Sequence, residues 1–178
     1  MTFSNIIIVG ITGVGKTTIG KILADKLNKP FIDLDKYIEN TCGVDIPTIF
    51  ALEGENGFRD RETFALSQVI NHESEYVLSL GGGCVIRNEN RQMIMRDNSI
   101  TVQLIADLDA IANRLLKSPG KRPLLTSQDI KAKIYQLYAE RKELYDLVSD
   151  ITINNTNLRP MQAADKVEEL LLAKLLKE

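Results

Sequence analysis

The residues best suited to chemistry in this chain form a glycine-rich loop near its beginning. Gly10, Gly13 and Gly15 precede Lys16 and Thr17 in the spacing G-x-x-x-x-G-K-[ST]. Glycine allows a backbone to wrap around a phosphate with its N–H groups pointing inward, in conformations that a Cβ would oppose. Lys16 would then reach the β- and γ-phosphates of a nucleotide, and the Thr17 hydroxyl would bind Mg²⁺. The loop therefore predicts binding of a nucleoside triphosphate.

The sequence on either side of this loop supports the same interpretation. An apolar run over residues 6–9 predicts a buried parallel strand before the loop, and residues 16–28 have the apolar spacing of a helix. The positive end of that helix would add its field at the phosphate. The alternative is a glycine-rich turn that only caps a helix. The predicted triphosphate-binding residues of the loop are Gly13, Val14, Gly15, Lys16, Thr17 and Thr18.

Two carboxylates, Asp33 and Asp35, lie at the end of a second predicted strand over residues 31–35. A spacing of two on an extended chain puts both carboxylates on the same side. One of them can hold Mg²⁺ through water while the other accepts a hydrogen bond from a substrate hydroxyl, as phosphoryl transfer requires. The alternative is a pair of helix-capping aspartates, with Asp35 before Lys36 as the candidate cap.

Two further groups of residues could meet a ligand. Arg59 and Glu62 are three positions apart in a predicted helix and can interact, although these two residues alone favour a solvated surface pair. The triplet Gly81, Gly82 and Gly83 follows the third predicted strand. Three successive glycines cost chain entropy and offer no packing, so they indicate close approach of a ligand to the backbone, with a plain loop as the alternative.

Arg141 interrupts the apolar stripe of a long predicted helix over residues 128–148. A guanidinium that faces inward needs an anion, either a buried carboxylate of the protein or a carboxylate of the substrate. The alternative is an arginine that extends over the helix edge into solvent. The stripe consists of Ile130, Ile134, Leu137, Leu144 and Val148.

Two other arginines lie in segments that contain proline. Arg122 belongs to a polar, basic segment over residues 117–127, which we predict to be a lid over the active site. When such a lid closes, Arg122 would stabilise charge on the γ-phosphate as an arginine finger does. Arg159, just before Pro160, could stack its planar guanidinium on an adenine ring.

The composition predicts an ordinary globular chain of one domain. It has 178 residues, of which 44% are hydrophobic and 26% charged, with a net charge of -2. This balance gives no reason to expect a nucleic-acid partner, and no apolar stretch approaches the ~20 residues of a membrane span. The first strand begins too early to leave room for a signal peptide, and Cys42 and Cys84 make no disulfide framework or metal site. We therefore expect a cytoplasmic protein.

Strands and helices alternate along the chain, which predicts a parallel sheet with helices on both faces and ligands at the carboxyl ends of its strands. The predicted strands lie over residues 6–9, 31–35, 76–80, 100–105 and 151–153. The predicted helices lie over residues 16–28, 38–41, 46–70 with a hinge around Gly54 and Gly57, 88–95, 108–116 and 128–148, with a last helix opened by Pro160.

From Ile6 to Pro160 the chain resembles the shikimate kinases, small enzymes with a P-loop NTPase fold of the nucleoside-monophosphate-kinase type. This resemblance implies a three-layer αβα architecture with five parallel strands in the order 2-3-1-4-5, and a substrate-binding subregion over residues 34–62. The motifs that carry it are the phosphate loop, Asp33-Leu34-Asp35, Phe58-Arg59 with Glu62, the glycine triplet, Arg122-Pro123-Leu124-Leu125, Arg141 with Tyr145, and Arg159-Pro160.

The resemblance also implies a reaction, the transfer of the ATP γ-phosphate to the 3-hydroxyl of shikimate. We expect the enzyme to act as a monomer. Thr17 would bind Mg²⁺ directly and Asp33 would bind it through water, while Asp35 would orient the hydroxyl. The catalytic residues implied are Lys16, Asp35 and Arg122. The shikimate-binding residues implied are Asp35, Arg59, Gly81, Gly82, Gly83 and Arg141, and the implied residues for ATP beyond the loop are Arg122 and Arg159.

Five other functions are weaker alternatives. A gluconate kinase of the same fold is disfavoured by the Phe58-Arg59 pair and the glycine triplet, and a nucleoside-monophosphate kinase by the lack of an evident base pocket. A GTPase or motor would need an acidic residue after the third strand, where Leu80-Gly81 stands. A binding module without catalysis would not need Lys16 and Arg122 together with the aspartates.

Overall fold

The structure, a computed structural model, describes residues 4–96, 99–117 and 130–176. Five parallel strands form one sheet in the order β2-β3-β1-β4-β5, which confirms the predicted strand order. The strands are β1 (Asn5–Val9), β2 (Phe31–Asp33), β3 (Val77–Ser79), β4 (Ser99–Ile105) and β5 (Ile151–Asn154). The helices are α1 (Lys16–Leu27), α2 (Leu34–Cys42), α3 (Ile46–His72), α4 (Asn88–Arg96), α5 (Leu108–Leu116), α6 (Ile130–Val148) and α7 (Pro160–Leu175), with a 3₁₀ turn over Cys84–Ile86.

Strand β1 lies at the centre of the sheet, because its side chains are apolar on both faces and all five of its residues are buried. It pairs with β3 on one side, Ile7 opposite Leu78, and with β4 on the other, Ile7 opposite Thr101. Helices flank the sheet, with α1 packed against α7 and α5 against α6. Since the strands are parallel, the residues that follow them all reach the same edge of the sheet.

The structure corrects the predicted second strand. Strand β2 ends at Asp33, and Asp35 lies in the first turn of α2 instead of continuing the strand. Asp33 is the N-cap of this helix, because its Oδ1 accepts a hydrogen bond from the backbone N–H of Lys36 at 3.2 Å. The prediction that both carboxylates project from one extended segment was therefore wrong, and so was the choice of Asp35 as the possible cap.

The predicted hinge in the long helix is confirmed at one of its two glycines. Gly54 has φ 68° and ψ -173°, a conformation that interrupts α3 and that favours glycine. Gly57 instead lies within the second helical part of α3. The predicted turn over residues 38–41 is the second half of the longer helix α2, which ends before Gly43 at φ 71°.

None of the described helices is both long enough and apolar enough to cross a membrane. Most of the predicted lid, residues 118–127, lies outside the described residues, and so does Arg122. Helix α6 is described from Ile130 onward, two residues after the predicted start at residue 128.

Candidate active site

The phosphate loop leads from the central strand into α1, and its backbone requires glycine at several positions. Gly13 and Gly15 have φ 82° and φ 108°, and a Cβ on Gly10 would lie 2.5 Å from the carbonyl oxygen of Leu104. The buried Lys16 side chain folds back over the loop, where its Nζ donates to the carbonyls of Gly10 at 2.7 Å and Ile11 at 3.0 Å. The ammonium group is thereby held at the loop that the sequence predicts for a triphosphate.

A cleft of about 470 Å³ opens beside this loop at the carboxyl edge of the sheet. Its walls include the loop residues from Thr12 to Ile19, both aspartates Asp33 and Asp35, and the first two glycines of the triplet. The fold therefore brings together three groups that are far apart in sequence. Their common position is the one that a parallel sheet provides for ligands.

Thr17 and Asp33 form the part of the cleft that suits a divalent cation. The Thr17 hydroxyl donates to Asp33 Oδ2 at 2.7 Å, and both side chains are partly open to solvent. Hydroxyl and carboxylate oxygens are ligands that Mg²⁺ accepts, and Mg²⁺ keeps several waters while binding substrate phosphates. Within the described residues, no group of three or more His, Cys, Asp or Glu side chains could hold a metal. The residues present thus fit a magnesium ion shared with a phosphate.

Arg59 and Glu62 are a buried pair, so the surface pair favoured by these two residues alone is wrong. Arg59 Nη1 lies 2.7 Å from Glu62 Oε2, and the two residues are 5% and 0% exposed. The guanidinium also reaches Glu55 at 3.3 Å and lies over the ring of Phe58, 5.2 Å from its centroid. A buried ion pair costs desolvation free energy, so this pair is weak evidence for stability and, beside Asp35 and the glycine triplet, a candidate for a functional role.

The pKa values of this pair reflect its burial. Burial raises the pKa of the Glu62 carboxyl to about 7, because Arg59 offsets only part of the desolvation and the negative charge of Asp35 adds to it. Burial works to lower the pKa of Arg59, but the carboxylates of Glu62 and Glu55 outweigh it and raise that pKa. Arg59 therefore stays charged, while burial disfavours the ionised form of Glu62.

The glycine triplet is where these side chains crowd against the backbone. A Cβ on Gly81 would lie 2.9 Å from Asp35 Oδ1 and also 2.9 Å from Glu62 Oε1. A Cβ on Gly83 would overlap the guanidinium of Arg59. The protein's own side chains thus approach this backbone closely, and the predicted approach of a ligand stays a prediction.

Arg141 faces inward from α6, as predicted, and is 5% exposed. Its Nη1 donates to the carbonyl of Gly82 at 3.2 Å, and the hydroxyl of Tyr145 donates to the same oxygen at 2.5 Å. Among the residues that the structure describes, no carboxylate lies within ion-pair distance of Arg141. A substrate carboxylate as the partner of Arg141 stays a prediction, and the buried carboxylate of Glu62 is near enough to interact with Arg141 electrostatically.

Comparison with known proteins identifies the family. A family model described as shikimate kinase matches residues 12–172. The chain belongs to the shikimate kinase family. It is 44% identical to a shikimate kinase of Marinomonas sp. (strain MWYL1) over 92% of this chain and 89% of that protein. It is 41% identical to a shikimate kinase of Bordetella pertussis (strain Tohama I / ATCC BAA-589 / NCTC 13251) over 93% and 76% of the two chains.

Solved structures of shikimate kinases share the whole fold. A shikimate kinase from Acinetobacter baumannii in complex with shikimate superposes with a TM-score of 0.92 at 35% identity, covering 97% of this chain and 95% of that one. A shikimate kinase from Aquifex aeolicus vf5 gives a TM-score of 0.81 at 29% identity, covering 98% and 99%. The family and the fold predicted from the sequence are therefore confirmed.

Two residues that line the cleft, Asn155 and Arg114, were not predicted from the sequence of this shikimate kinase family member. Asn155, directly after β5, is 4% exposed, and its Nδ2 donates to the carbonyl of Val14 in the phosphate loop at 2.8 Å. Its Oδ1 is buried without a hydrogen-bond partner in the described part of the chain. Its position after a strand is the signal that could have found it. Arg114 of α5 also lines the cleft, and nothing in its sequence context separates it from a solvated helix arginine.

Arg159, which we predicted to stack on adenine, is not among the residues that line the cleft. It is exposed and is the N-cap of α7, where its backbone N–H donates to Gln162 Oε1 at 2.9 Å. Its neighbours Leu158 and Pro160 line the cleft, whereas Arg159 does not. Stacking of Arg159 on adenine stays a prediction.

Proposed function

We propose that this chain transfers the γ-phosphate of ATP to the 3-hydroxyl of shikimate, giving shikimate 3-phosphate and ADP in the biosynthesis of aromatic amino acids. The observation that carries the proposal is the contact between the phosphate loop and the glycine triplet. A Cβ on Gly82 would lie 2.9 Å from the backbone nitrogen of Thr12, while the Gly82 carbonyl accepts from Arg141. A phosphate donor and a carboxylate-bearing acceptor would thus be held side by side.

On the donor side, Lys16 and the backbone of the loop would bind the phosphates. Lys16 now donates to two loop carbonyls, and its ammonium would move onto the β- and γ-phosphates when ATP binds. Loop residues Gly13, Val14, Gly15 and Thr18 would surround the phosphate chain. Asn155 supports the conformation of the phosphate loop, because its side chain, directly after β5, donates a hydrogen bond to the Val14 carbonyl.

On the acceptor side, two arginines would hold the carboxylate of shikimate. Arg59 and Arg141 are buried and reach adjacent members of the glycine triplet, Gly83 and Gly82. Guanidinium groups pair with a planar carboxylate through two parallel hydrogen bonds, which fixes both position and orientation of the acceptor. The family relation to an enzyme solved in complex with shikimate supports this choice of acceptor.

Asp35 would orient the attacking hydroxyl and accept its proton. Its Oδ1 lies beside Gly81 in the same cleft as the phosphate loop, on the side of the buried pair of Arg59 and Glu62. Most of the catalysis in phosphoryl transfer comes from positioning and from stabilising charge, so one oriented carboxylate is sufficient for the acceptor.

Magnesium would be held by Thr17 directly and by Asp33 through water, with ATP supplying the remaining oxygens. When bound, the ion would neutralise charge on the phosphates. Asp33 can serve in this way because its Oδ2 already faces the Thr17 hydroxyl, while its Oδ1 is committed to the N–H of Lys36.

Arg122 and the lid over residues 117–127 complete the proposal from the sequence. Closure of the lid would bring Arg122 to the transferred phosphate and exclude water, which limits wasteful hydrolysis of ATP. Arg159 would contact adenine, and the whole chain, residues 1–178, would act as one cytoplasmic, monomeric kinase domain with its acceptor subregion at 34–62. Sedimentation of the purified chain tests the monomeric state.

An acceptor assay tests the function. The purified chain with ATP and Mg²⁺ should form ADP only when shikimate is added, and mass spectrometry should detect shikimate 3-phosphate. Lys16→Ala is the matched negative control, because it removes the ammonium without touching the acceptor site. Equal turnover with gluconate would replace this assignment by the gluconate kinase alternative. ATP binding without turnover of any acceptor would instead favour a binding module.

A further inference from the structure

The carbonyl of Gly82 receives two buried donors from helix α6. The Tyr145 hydroxyl donates to it at 2.5 Å and Arg141 Nη1 at 3.2 Å. A carbonyl oxygen has two lone pairs and can accept both hydrogen bonds at once. Tyr145 is only 1% exposed, and the Gly82 carbonyl accepts the hydrogen bond of its hydroxyl. The two contacts fasten the last part of α6 to the glycine triplet.

Gly82 also touches the phosphate loop on its other side. A Cβ at this position would lie 2.9 Å from the backbone nitrogen of Thr12. The Gly82 peptide therefore lies between α6 and the loop that we assign to the phosphates of ATP. A small movement of this peptide would change the separation of the proposed donor and acceptor sites, and geometry of this kind controls the rate of group transfer.

Arg141 is held less firmly than Tyr145. Its hydrogen bond to Gly82 is the longer of the two, its guanidinium also interacts with the Tyr145 hydroxyl, and its buried Nε has no hydrogen-bond partner in the described ranges. A guanidinium carries five N–H donors in one plane, so Arg141 retains the capacity to bind an anion. It can turn toward a carboxylate only if the Gly82 carbonyl keeps another donor, because a buried carbonyl without a partner costs free energy.

We propose that Tyr145 is a positioning residue, whose hydroxyl keeps the Gly82 carbonyl satisfied and thereby releases Arg141 to bind the carboxylate of the acceptor. The inference rests on the proposed function and extends it to a residue that does not itself touch the substrate. Burial raises the pKa of Tyr145 to about 12, so the hydroxyl keeps its proton and remains a donor at any pH at which the enzyme would work.

The variant Tyr145→Phe tests this role, because it keeps the ring and removes only the hydroxyl. The Gly82 carbonyl would then compete for Arg141, and the KM for shikimate should rise about five- to tenfold while the KM for ATP changes less than about twofold. Isothermal titration with shikimate should show the same loss of affinity. The matched control is Tyr138→Phe on the same helix, since the Tyr138 hydroxyl makes no hydrogen bond within the described residues and both KM values should stay unchanged.

A double-mutant cycle shows whether Tyr145 acts through Arg141. In an Arg141→Ala background, Tyr145→Phe should add less than about a twofold change in the KM for shikimate. A purely structural role would raise both KM values together, lower the melting temperature and add fully to Arg141→Ala, and that outcome would overturn the inference. An active wild type with an unchanged Tyr145→Phe variant would overturn the inference alone. A wild type that does not phosphorylate shikimate would overturn the proposed function and this inference with it.

Discussion

The Thr17 hydroxyl donates a 2.7 Å hydrogen bond to Asp33 Oδ2 and so connects the start of α1 to the end of β2. The two residues are 16 positions apart and line the same cleft, Thr17 as the second residue of α1 and Asp33 as the N-cap of α2. The contact holds a hydroxyl and a carboxylate oxygen next to each other at the cleft. Preorganised oxygen ligands reduce the cost of binding a cation that gives up its own water reluctantly.

Replacing the Asp33 carboxylate should therefore weaken the response to magnesium. Asp33→Asn keeps a good N-cap for α2 but removes the negative charge, and the Mg²⁺ concentration for half-maximal activity should rise by roughly 10- to 100-fold. The measurement is a magnesium titration of the initial rate. Asp45→Asn is the matched control, because Asp45 caps α3 through Thr48 at 2.9 Å and is not among the residues that line the cleft. Equal magnesium curves for the two variants would exclude Asp33 from the metal site.

Removing the inward-facing arginine should weaken the acceptor far more than the nucleotide. Arg141→Ala deletes a charged hydrogen-bond donor, and the KM for shikimate should rise by about 10- to 100-fold while the KM for ATP stays close to that of the wild type. Steady-state kinetics with each substrate varied in turn measure the split. The control is Lys142→Ala, which removes the neighbouring cation of the same helix, one that is half-exposed and paired with Asp146 at 2.8 Å. An unchanged KM for shikimate would refute the proposed role of Arg141.

The raised pKa of Glu62 makes a prediction about stability and pH. The folded-state pKa of about 7 lies above the ordinary value of 4.5. The protonated carboxyl therefore makes its full contribution to the free energy of unfolding below about pH 4.5, and this contribution is lost as the pH rises through about 7. Glu62→Gln cannot ionise. The free energy of unfolding of the Glu62→Gln variant should therefore increase relative to that of the wild type between about pH 5 and about pH 8, as measured by urea denaturation.

The half-exposed partner of the same arginine provides the control for that experiment. Glu55 lies 3.3 Å from Arg59 and solvent screens its charge, so Glu55→Gln controls for the loss of one carboxylate beside the same guanidinium. If the free energy of unfolding of the wild type instead increases relative to that of Glu62→Gln as the pH rises, the attraction between Glu62 and Arg59 outweighs the cost of burial.

A methyl group on Gly82 should disturb both substrates, since it would lie 2.9 Å from the backbone nitrogen of Thr12. Neither backbone can move aside easily, so Gly82→Ala should lower kcat at least about tenfold by displacing the phosphate loop from the glycine triplet. Gly43→Ala controls for general destabilisation. Gly43 lies in open space at φ 71°, so this variant should lose about 1 kcal/mol of stability yet keep its kcat. A Gly82→Ala variant with full kcat would show that the two loops do not need this close contact.

Local patterns predicted the phosphate loop and most of the elements. The apolar run over residues 6–9 is the central strand, and Lys16 begins a helix, because buried strands and glycine-rich turns are specified by neighbouring residues. The hinge at Gly54 was likewise predictable from the cost of glycine within a helix. The strand that was expected to continue to Asp35 ends at Asp33, because a hydrogen bond between Asp33 and Lys36 starts the helix earlier. Apolar spacing alone does not predict whether residues 34 and 35 continue the strand or begin the helix.

The sequence by itself determined the chemistry that is available and, through the resemblance of its motifs, the family. Only the tertiary structure decided which side chains are buried together. It placed Arg59 and Glu62 out of solvent, and it brought Asn155 against the phosphate loop. It also set Tyr145 on the carbonyl of Gly82, 63 positions away. Contacts of this range depend on how helices and loops pack around the sheet, and the free energy of that packing is shared among residues distant in the chain.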